Sequence, residues 1–166
     1  MRIGIALGSN QGDRMANLRA ARQAIVDLAS VTTPVLSSPV YETEPVDCEP
    51  DATKFLNAVL EVEYDGDPSE LLEQLVRVEE SLGRERDHAK SVSRKIDIDL
   101  LYADNLNVNN ERLQLPHPRM HLRKFVLQPL ADIRPDLLLS DRRKTARELL
   151  AQIKDSTKVI RFAEKW

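Results

Sequence analysis

Strict apolar/polar alternation recurs along this chain, interrupted by segments of helical spacing, and that order limits the possible folds more than any single motif does. Residues 2–7 place Ile3, Ile5 and Leu7 on one side, the two-residue period of a strand. A polar Gly8-Ser9-Asn10-Gln11-Gly12-Asp13 turn follows, then an apolar stripe of Leu18, Ala21, Ile25 and Leu28 with the three-and-four spacing of a helix. Residues 34–41 read as a short strand broken by Pro39, and the acidic, proline-rich stretch 43–54 as a loop. From Asn57 to Tyr64, Leu60, Val62 and Tyr64 alternate with Glu61 and Glu63, which predicts a strand with one face in water. Asp67-Pro68-Ser69-Glu70 offers an N-cap and a first-turn proline to a second helix, striped by Leu71, Leu75, Val78 and Leu82 and stopped at Gly83. Residues 96–102 alternate again, with Ile96, Ile98, Leu100 and Tyr102 facing one way and Asp97, Asp99 and Leu101 the other.

The resulting order, β-α-β-β-α-β, predicts an α+β fold of ferredoxin-like plan, an antiparallel sheet covered by helices on one face. The tail is expected to add helices near 122–132 and 143–155. No repeat or linker divides the 166 residues, so residues 1–166 are read as a single domain. No apolar run approaches the roughly 18 residues of a membrane span, and the first residues are too briefly apolar for a secretory signal. With one cysteine, Cys48, an internal disulfide is impossible, and a cytoplasmic location is the expectation.

Charge is unevenly placed. Residues 34–83 carry two basic and thirteen acidic groups, whereas 84–124 carry nine basic and six acidic ones, clustered near His88, His117 and His121. A local basic cluster in an acidic chain points to a small anionic ligand rather than a nucleic acid, which needs an extended positive face. The same sheet plan also serves RNA binding, but the strands lack a pattern of stacking aromatics.

Asp97 and Asp99, two apart on a strand, project from the same face with roots roughly 7 Å apart. Alone, such a pair usually means two solvated acids. Here Arg84, Arg86, Lys90, Arg94 and Lys95 precede it, and Arg112, His117, Arg119 and Arg123 follow. Guanidinium forks match phosphate oxygens, and two carboxylates without further protein ligands suit magnesium, which takes its remaining oxygens from water and phosphate. The combination reads as phosphoryl transfer. No G-x-x-x-x-G-K-[ST] occurs, so it is not of the P-loop kind. Phe55 and Phe125 could hold a flat heterocycle between them, with Asn57 reading its edge. Gly8 is read as only shaping the connection from strand to helix.

These residues resemble the 6-hydroxymethyl-7,8-dihydropterin pyrophosphokinase family. The matching stretches are Ala6-Leu7-Gly8-Ser9-Asn10 with Gly12-Asp13-Arg14, Ser38-Pro39-Val40-Tyr41-Glu42-Thr43, Phe55-Leu56-Asn57-Ala58 and Gly83-Arg84-Glu85-Arg86. They continue through Arg94-Lys95-Ile96-Asp97-Ile98-Asp99, Leu115-Pro116-His117-Pro118-Arg119 and Arg123-Lys124-Phe125. The resemblance implies transfer of pyrophosphate from ATP to the pterin hydroxymethyl group in folate biosynthesis, with release of AMP. It implies two magnesium ions on Asp97 and Asp99, and Arg84 and Arg94 as further catalytic residues. The ATP site would draw on Glu79, Arg84, Arg86, Lys90, Arg94, Ile98, Arg112, His117 and Arg123. The pterin would meet Thr43, Val46, Phe55, Asn57 and Phe125. The chain would work as a monomer or weak homo-oligomer, without nucleic acid or membrane. The chain departs from the family pattern at three places. Ser91-Val92-Ser93 stands where many members carry Trp-Gly-Pro, Lys90 stands at a common arginine, and Glu44 at a frequent proline of the pterin-binding loop. A relative that binds nucleotide or pterin without catalysis, or with an altered substrate, is the alternative reading.

Overall fold

A computed structural model describes residues 1–45, 53–83 and 95–166. In chain order these hold β1 (Arg2–Ser9), α1 (Arg14–Val26), β2 (Val31–Ser37), β3 (Val40–Thr43), β4 (Phe55–Tyr64), α2 (Pro68–Ser81) and β5 (Asp97–Ala103). A small hairpin of β6 (Val108–Asn109) and β7 (Gln114–Leu115) follows, then a 3-10 turn at Met120–Leu122 and α3 (Lys124–Ile133). The remainder comprises a second hairpin of β8 (Leu138–Leu139) and β9 (Lys144–Thr145), α4 (Ala146–Gln152) and β10 (Val159–Ala163).

The sheet runs β10-β3-β4-β1-β5 with every neighbour antiparallel, and β2 also pairs with β4. Strands β2 and β3 form one line alongside β4, interrupted at Ser38-Pro39, as the proline predicts. Proline has no N–H to give the ladder. Ser38 bridges the break, accepting from the Val59 amide through its hydroxyl (2.9 Å) while its own amide donates to the Val59 carbonyl.

Both predicted helices form where their caps indicate. Asp13 accepts from the Ala16 amide at the start of α1, and Asp67 accepts from the Ser69 amide at the start of α2. Gly83, at φ +99°, takes the left-handed conformation that ends α2. Their apolar stripes, Leu18, Ala21 and Ile25 on one and Leu71, Leu75 and Val78 on the other, meet Ile3, Ile5, Leu7, Leu56, Leu60 and Ile98 in one core. Each fully buried side chain of this kind contributes about 1.5–3 kcal/mol.

Three expectations are corrected. The sheet is covered on both faces, not one, because α3 and α4 pack Val126, Leu130 and Ala146 against Val59, Leu101 and Tyr102 on the side away from α1 and α2. Consequently Glu61 of β4 does not face water: it is 3% exposed, bound by the Tyr102 hydroxyl at 2.6 Å and by Arg134 Nε at 2.8 Å. Tyr102 faces the α3 side with Leu101 rather than continuing the Ile96-Ile98-Leu100 row. The register against β1 shifts between Gly4 and Ile5, so that Gly4 pairs with Tyr102 and Ile5 with Leu100. One extra residue on β5 reverses the alternation beyond it.

The tail differs in detail. The helices are shorter than expected, and β10 adds a strand against β3 that the periodicity does not announce. Trp166 closes that side by donating its indole N–H to the Ser38 carbonyl at 2.8 Å.

Candidate active site

The end of β1 lies between the ends of β4 and β5, with Gly8 opposite Asn57 on one side and Asp97 on the other. This register brings together residues that are far apart in sequence. A cavity of about 140 Å³ opens there, lined by Gly8, Thr43, Glu44, Phe55, Asn57, Asp97, Asp99, Arg123 and Phe125 among others. Phe55 comes from β4 and Phe125 from the first turn of α3, so the two rings contribute to the same chamber from different elements.

Asn57 is almost fully buried, and its Nδ2 donates to Thr43 Oγ1 at 2.8 Å. That bond fixes the amide, and its Oδ1 is the atom near Gly8, where an added Cβ would lie 3.2 Å away. Gly8 therefore does more than shape a turn: it forms a wall of the chamber and leaves room for the Asn57 carbonyl.

Asp97 and Asp99 share a face of β5 and are both partly buried. Arg123, the residue preceding α3, places Nη1 3.3 Å from Asp99 Oδ2 and its guanidinium 5.6 Å from the Phe125 ring centre. Among the described residues no group of three or more acidic, histidine or cysteine side chains gathers into a ready-made metal cage. A pair of carboxylates at a cavity wall fits magnesium better than a cation needing a full protein shell.

A second, wider cavity of about 410 Å³ flanks β5 toward the β6–β7 hairpin, lined by Leu72, Ile98, Asp99, Asn110, Glu111, Arg112, Gln114 and His117 among others. Asp99 belongs to both cavities. Asn110 Oδ1 accepts from the amides of Arg112 (2.9 Å) and Leu113 (2.8 Å), which shapes the tip of the β6–β7 hairpin and presents Arg112 to this cavity. The His117 amide donates to the Leu101 carbonyl, and its Nδ1 accepts from the Arg119 amide at 3.2 Å. The imidazole proton then sits on Nε2. Burial, reinforced by Arg123 and Arg119 and opposed by Asp99, holds the His117 pKa below its ordinary value. His117 is a neutral donor at pH 7. Glu79 lines neither cavity; it is buried, and its Oε1 accepts from the Ile98 amide at 2.7 Å.

The expected residues Thr43, Phe55, Asn57, Phe125, Asp97, Asp99 and Arg123 thus meet around one chamber, and Ile98, Arg112 and His117 around the other. Val46, Arg84, Arg86, Lys90 and Arg94 lie outside the described residues, as do Cys48, His88 and the Ser91-Val92-Ser93 stretch. Glu44, the departure from the family's proline, lines the first chamber, whereas sequence reasoning missed Gly8 as a lining residue, together with Asn110, Glu111 and Gln114. The hairpin had a signal, the Asn109-Asn110 pair where a tight turn is favoured.

Comparison with known proteins decides the family. The model of the 7,8-dihydro-6-hydroxymethylpterin-pyrophosphokinase (HPPK) family matches residues 4–135. The chain belongs to the HPPK family. An HPPK-family relative, the 2-amino-4-hydroxy-6-hydroxymethyldihydropteridine pyrophosphokinase of Bacillus subtilis, is 45% identical over 129 residues, 78% of this chain and 75% of that protein. The enzyme of the same name from Haemophilus influenzae is 38% identical over 151 residues, covering 91% of this chain and 92% of that one. A folate synthesis bifunctional protein of Arabidopsis thaliana is 39% identical over 130 residues, which make up 26% of its length. Among solved structures, wild-type HPPK-DHPS of Plasmodium falciparum superposes with a TM-score of 0.67 at 15% identity, covering 91% of this chain. This HPPK-family chain spans 44% of that longer one. The structural likeness confirms the α+β HPPK fold. The described helices include none long and apolar enough to cross a membrane.

Proposed function

We propose that this chain transfers the pyrophosphoryl group of ATP to the hydroxymethyl oxygen of 6-hydroxymethyl-7,8-dihydropterin, giving AMP and the pterin diphosphate in folate biosynthesis. We read residues 1–166 as one such domain, acting in the cytoplasm as a monomer or weak homo-oligomer, with neither nucleic acid nor membrane as partner. The observation that carries the reading is Asp99, which lines both the aromatic-walled chamber and the wider cavity. A ring in the first and a nucleotide in the second would meet at the carboxylate pair.

In this scheme Phe55 and Phe125 stack on the two faces of the pterin, while Asn57 Oδ1 and Thr43 meet its polar edge. Arg112 and His117 border the nucleotide, with Ile98 forming apolar wall, and Glu79 supports that wall from behind through the Ile98 amide. The hydroxymethyl oxygen attacks the β-phosphorus, and the bond from that phosphorus to the oxygen of the α-phosphate breaks in line. The electron pair leaves with AMP, and the hydroxyl proton passes to Asp97. Asp97 and Asp99 would hold two magnesium ions, whose charge offsets that of the triphosphate. Arg123 adds a second source of positive charge beside Asp99, aligned before reaction begins. Most of the rate acceleration then comes from alignment and electrostatics.

The test is turnover. Incubation with ATP, magnesium and the hydroxymethyl pterin should yield AMP and pterin diphosphate. Asp97→Asn and Asp99→Asn should each lower the turnover rate by about a hundredfold or more, with a much smaller change in pterin affinity. A folded wild-type preparation as inert as the two variants would overturn the assignment.

A further inference from the structure

Arg123, Phe125 and Val126 reach the chamber from one place, the N-terminal end of α3. The first amides of a helix have no partner inside it, and the N-cap side chain ordinarily accepts from one of them. Arg123 occupies that position and makes no such bond, because a guanidinium only donates. The acceptor comes instead from much later in the chain. Asp155, in the connection between α4 and β10, takes the Lys124 amide on its Oδ2 at 3.1 Å. We propose that Asp155 is a positioning residue for pyrophosphoryl transfer, pinning the start of α3 so that Arg123 meets Asp99 and Phe125 meets the ring. The inference rests on the pyrophosphokinase reading of the site.

Asp155 is itself held. Its Oδ1 accepts from the Thr157 amide at 2.8 Å, which turns one edge of the carboxylate back on its own backbone and aims the other at Lys124. Burial works to raise the pKa of this group, but the hydrogen bonds from Thr157 and Lys124 outweigh it, so the carboxyl is charged at neutral pH. A negative charge is the favoured state beside the positive end of a helix dipole.

The two ends of α3 are fastened separately. At the far end Arg134 Nε donates to Glu61 of β4 at 2.8 Å, and between the ends Val126 and Leu130 pack on the sheet. Release of Asp155 therefore loosens the end that carries the site and leaves the other attached. At that end Arg123 Nη1 lies 3.3 Å from Asp99 Oδ2, and its guanidinium 5.6 Å from the Phe125 ring centre, so a single anchor governs both contacts. The arrangement also accounts for an arginine at a position where it cannot cap: the side chain serves the chamber, and the tail supplies the missing acceptor.

The experiment measures turnover with ATP and magnesium, and pterin affinity by calorimetry, on the full chain well below each melting midpoint. Asp155→Ala should lower kcat by about tenfold and weaken pterin binding several-fold. Asp155→Asn, with one accepting oxygen where the carboxylate has two, should fall between it and wild type. In the double variant Asp155→Ala/Arg123→Ala, kcat should match that of Arg123→Ala alone, since a residue that acts through Arg123 then has nothing left to align. Should Asp155→Ala fail to fold, the same cycle built on Asp155→Asn decides. Glu148→Ala removes the capping box of α4 in the same tail and controls for stability: its melting temperature should fall while kcat stays at the wild-type value. Rate losses that multiply in the double variant, an equal fall of kcat in Glu148→Ala, or wild-type kcat and pterin affinity in Asp155→Ala would each overturn the role of Asp155 and leave the activity standing. A folded wild type without turnover would overturn both.

Discussion

Gly8 illustrates how one missing methyl group shapes the chamber. Its position opposite Asn57 leaves 3.2 Å between an added Cβ and Asn57 Oδ1, a contact tight enough to push the amide aside. Gly8→Ala should therefore raise the pterin Michaelis constant by about tenfold while the protein stays folded, since the nearest other contact is the ordinary 3.8 Å to Phe55. Steady-state kinetics beside a thermal melt checks this, and a fall in melting temperature with unchanged binding would count against it. The chemistry-bearing side chains are legible in the sequence because acids, arginines and aromatics announce their reactivity by type. Asp97, Asp99, Phe55 and Phe125 can be picked out in this way. Gly8 cannot, because a glycine's value lies in what it lacks, and the room it leaves is seen only once the fold sets Asn57 opposite it.

Among the elements, β4 departs furthest from its sequence pattern. Alternating glutamates in an amphipathic strand ordinarily mean water on one side, but Glu61 is covered by α3 and shared between Tyr102 and Arg134. The pattern of polarity is legible and its cause is not: a buried charge with its own partners carries the same one-letter code as a solvated one. The pair lies at the C-terminal end of α3, the helix whose first turn carries Phe125, and fastens it to the sheet. Glu61→Ala should cost about 3 kcal/mol in urea unfolding, because it strands the Tyr102 hydroxyl and the Arg134 guanidinium together. Glu61→Gln, which keeps an acceptor for Tyr102, should cost less. Equal losses would mean that cavity formation rather than hydrogen bonding accounts for the effect. The register shift in β5 is hidden for another reason. Its extra residue shows only in the pairing with β1, where Tyr102 lies across Gly4 so closely that a Cβ would stand 2.1 Å from the ring. Strand pairing is a relation between distant segments, and no local period encodes it.

At the scale of the whole molecule, proton binding links the site to stability. Burial holds both His117 and His121 below their ordinary value of 6.5, aided at His121 by Arg142. The unfolded chain then takes up protons that the folded chain refuses, so stability should be level above about pH 6.5 and decline as the pH falls through and below it. Asp155 belongs to a different window. Burial works to raise its pKa, yet hydrogen bonds from Thr157 and Lys124 outweigh it and hold the carboxyl below 3.8, so its contribution is present above that value and lost only in stronger acid. Melting temperatures between pH 7 and 5 should therefore fall for the wild type and fall less for the double variant His117→Asn/His121→Asn. An identical slope in both would show that other groups govern this window.

The pairing of β10 with β3 bears on how the protein is made. Thr43, whose hydroxyl orients Asn57, lies on the strand that Val159 and its neighbours complete. During synthesis that border stays open until a far later stretch of polypeptide has emerged, whereas the ladder between β1 and β4 can zip much earlier. The recognition wall is thus among the last parts of the sheet to gain its second neighbour, and a ribosome-bound nascent chain halted before β10 would carry its acids in place with that wall held by β4 alone.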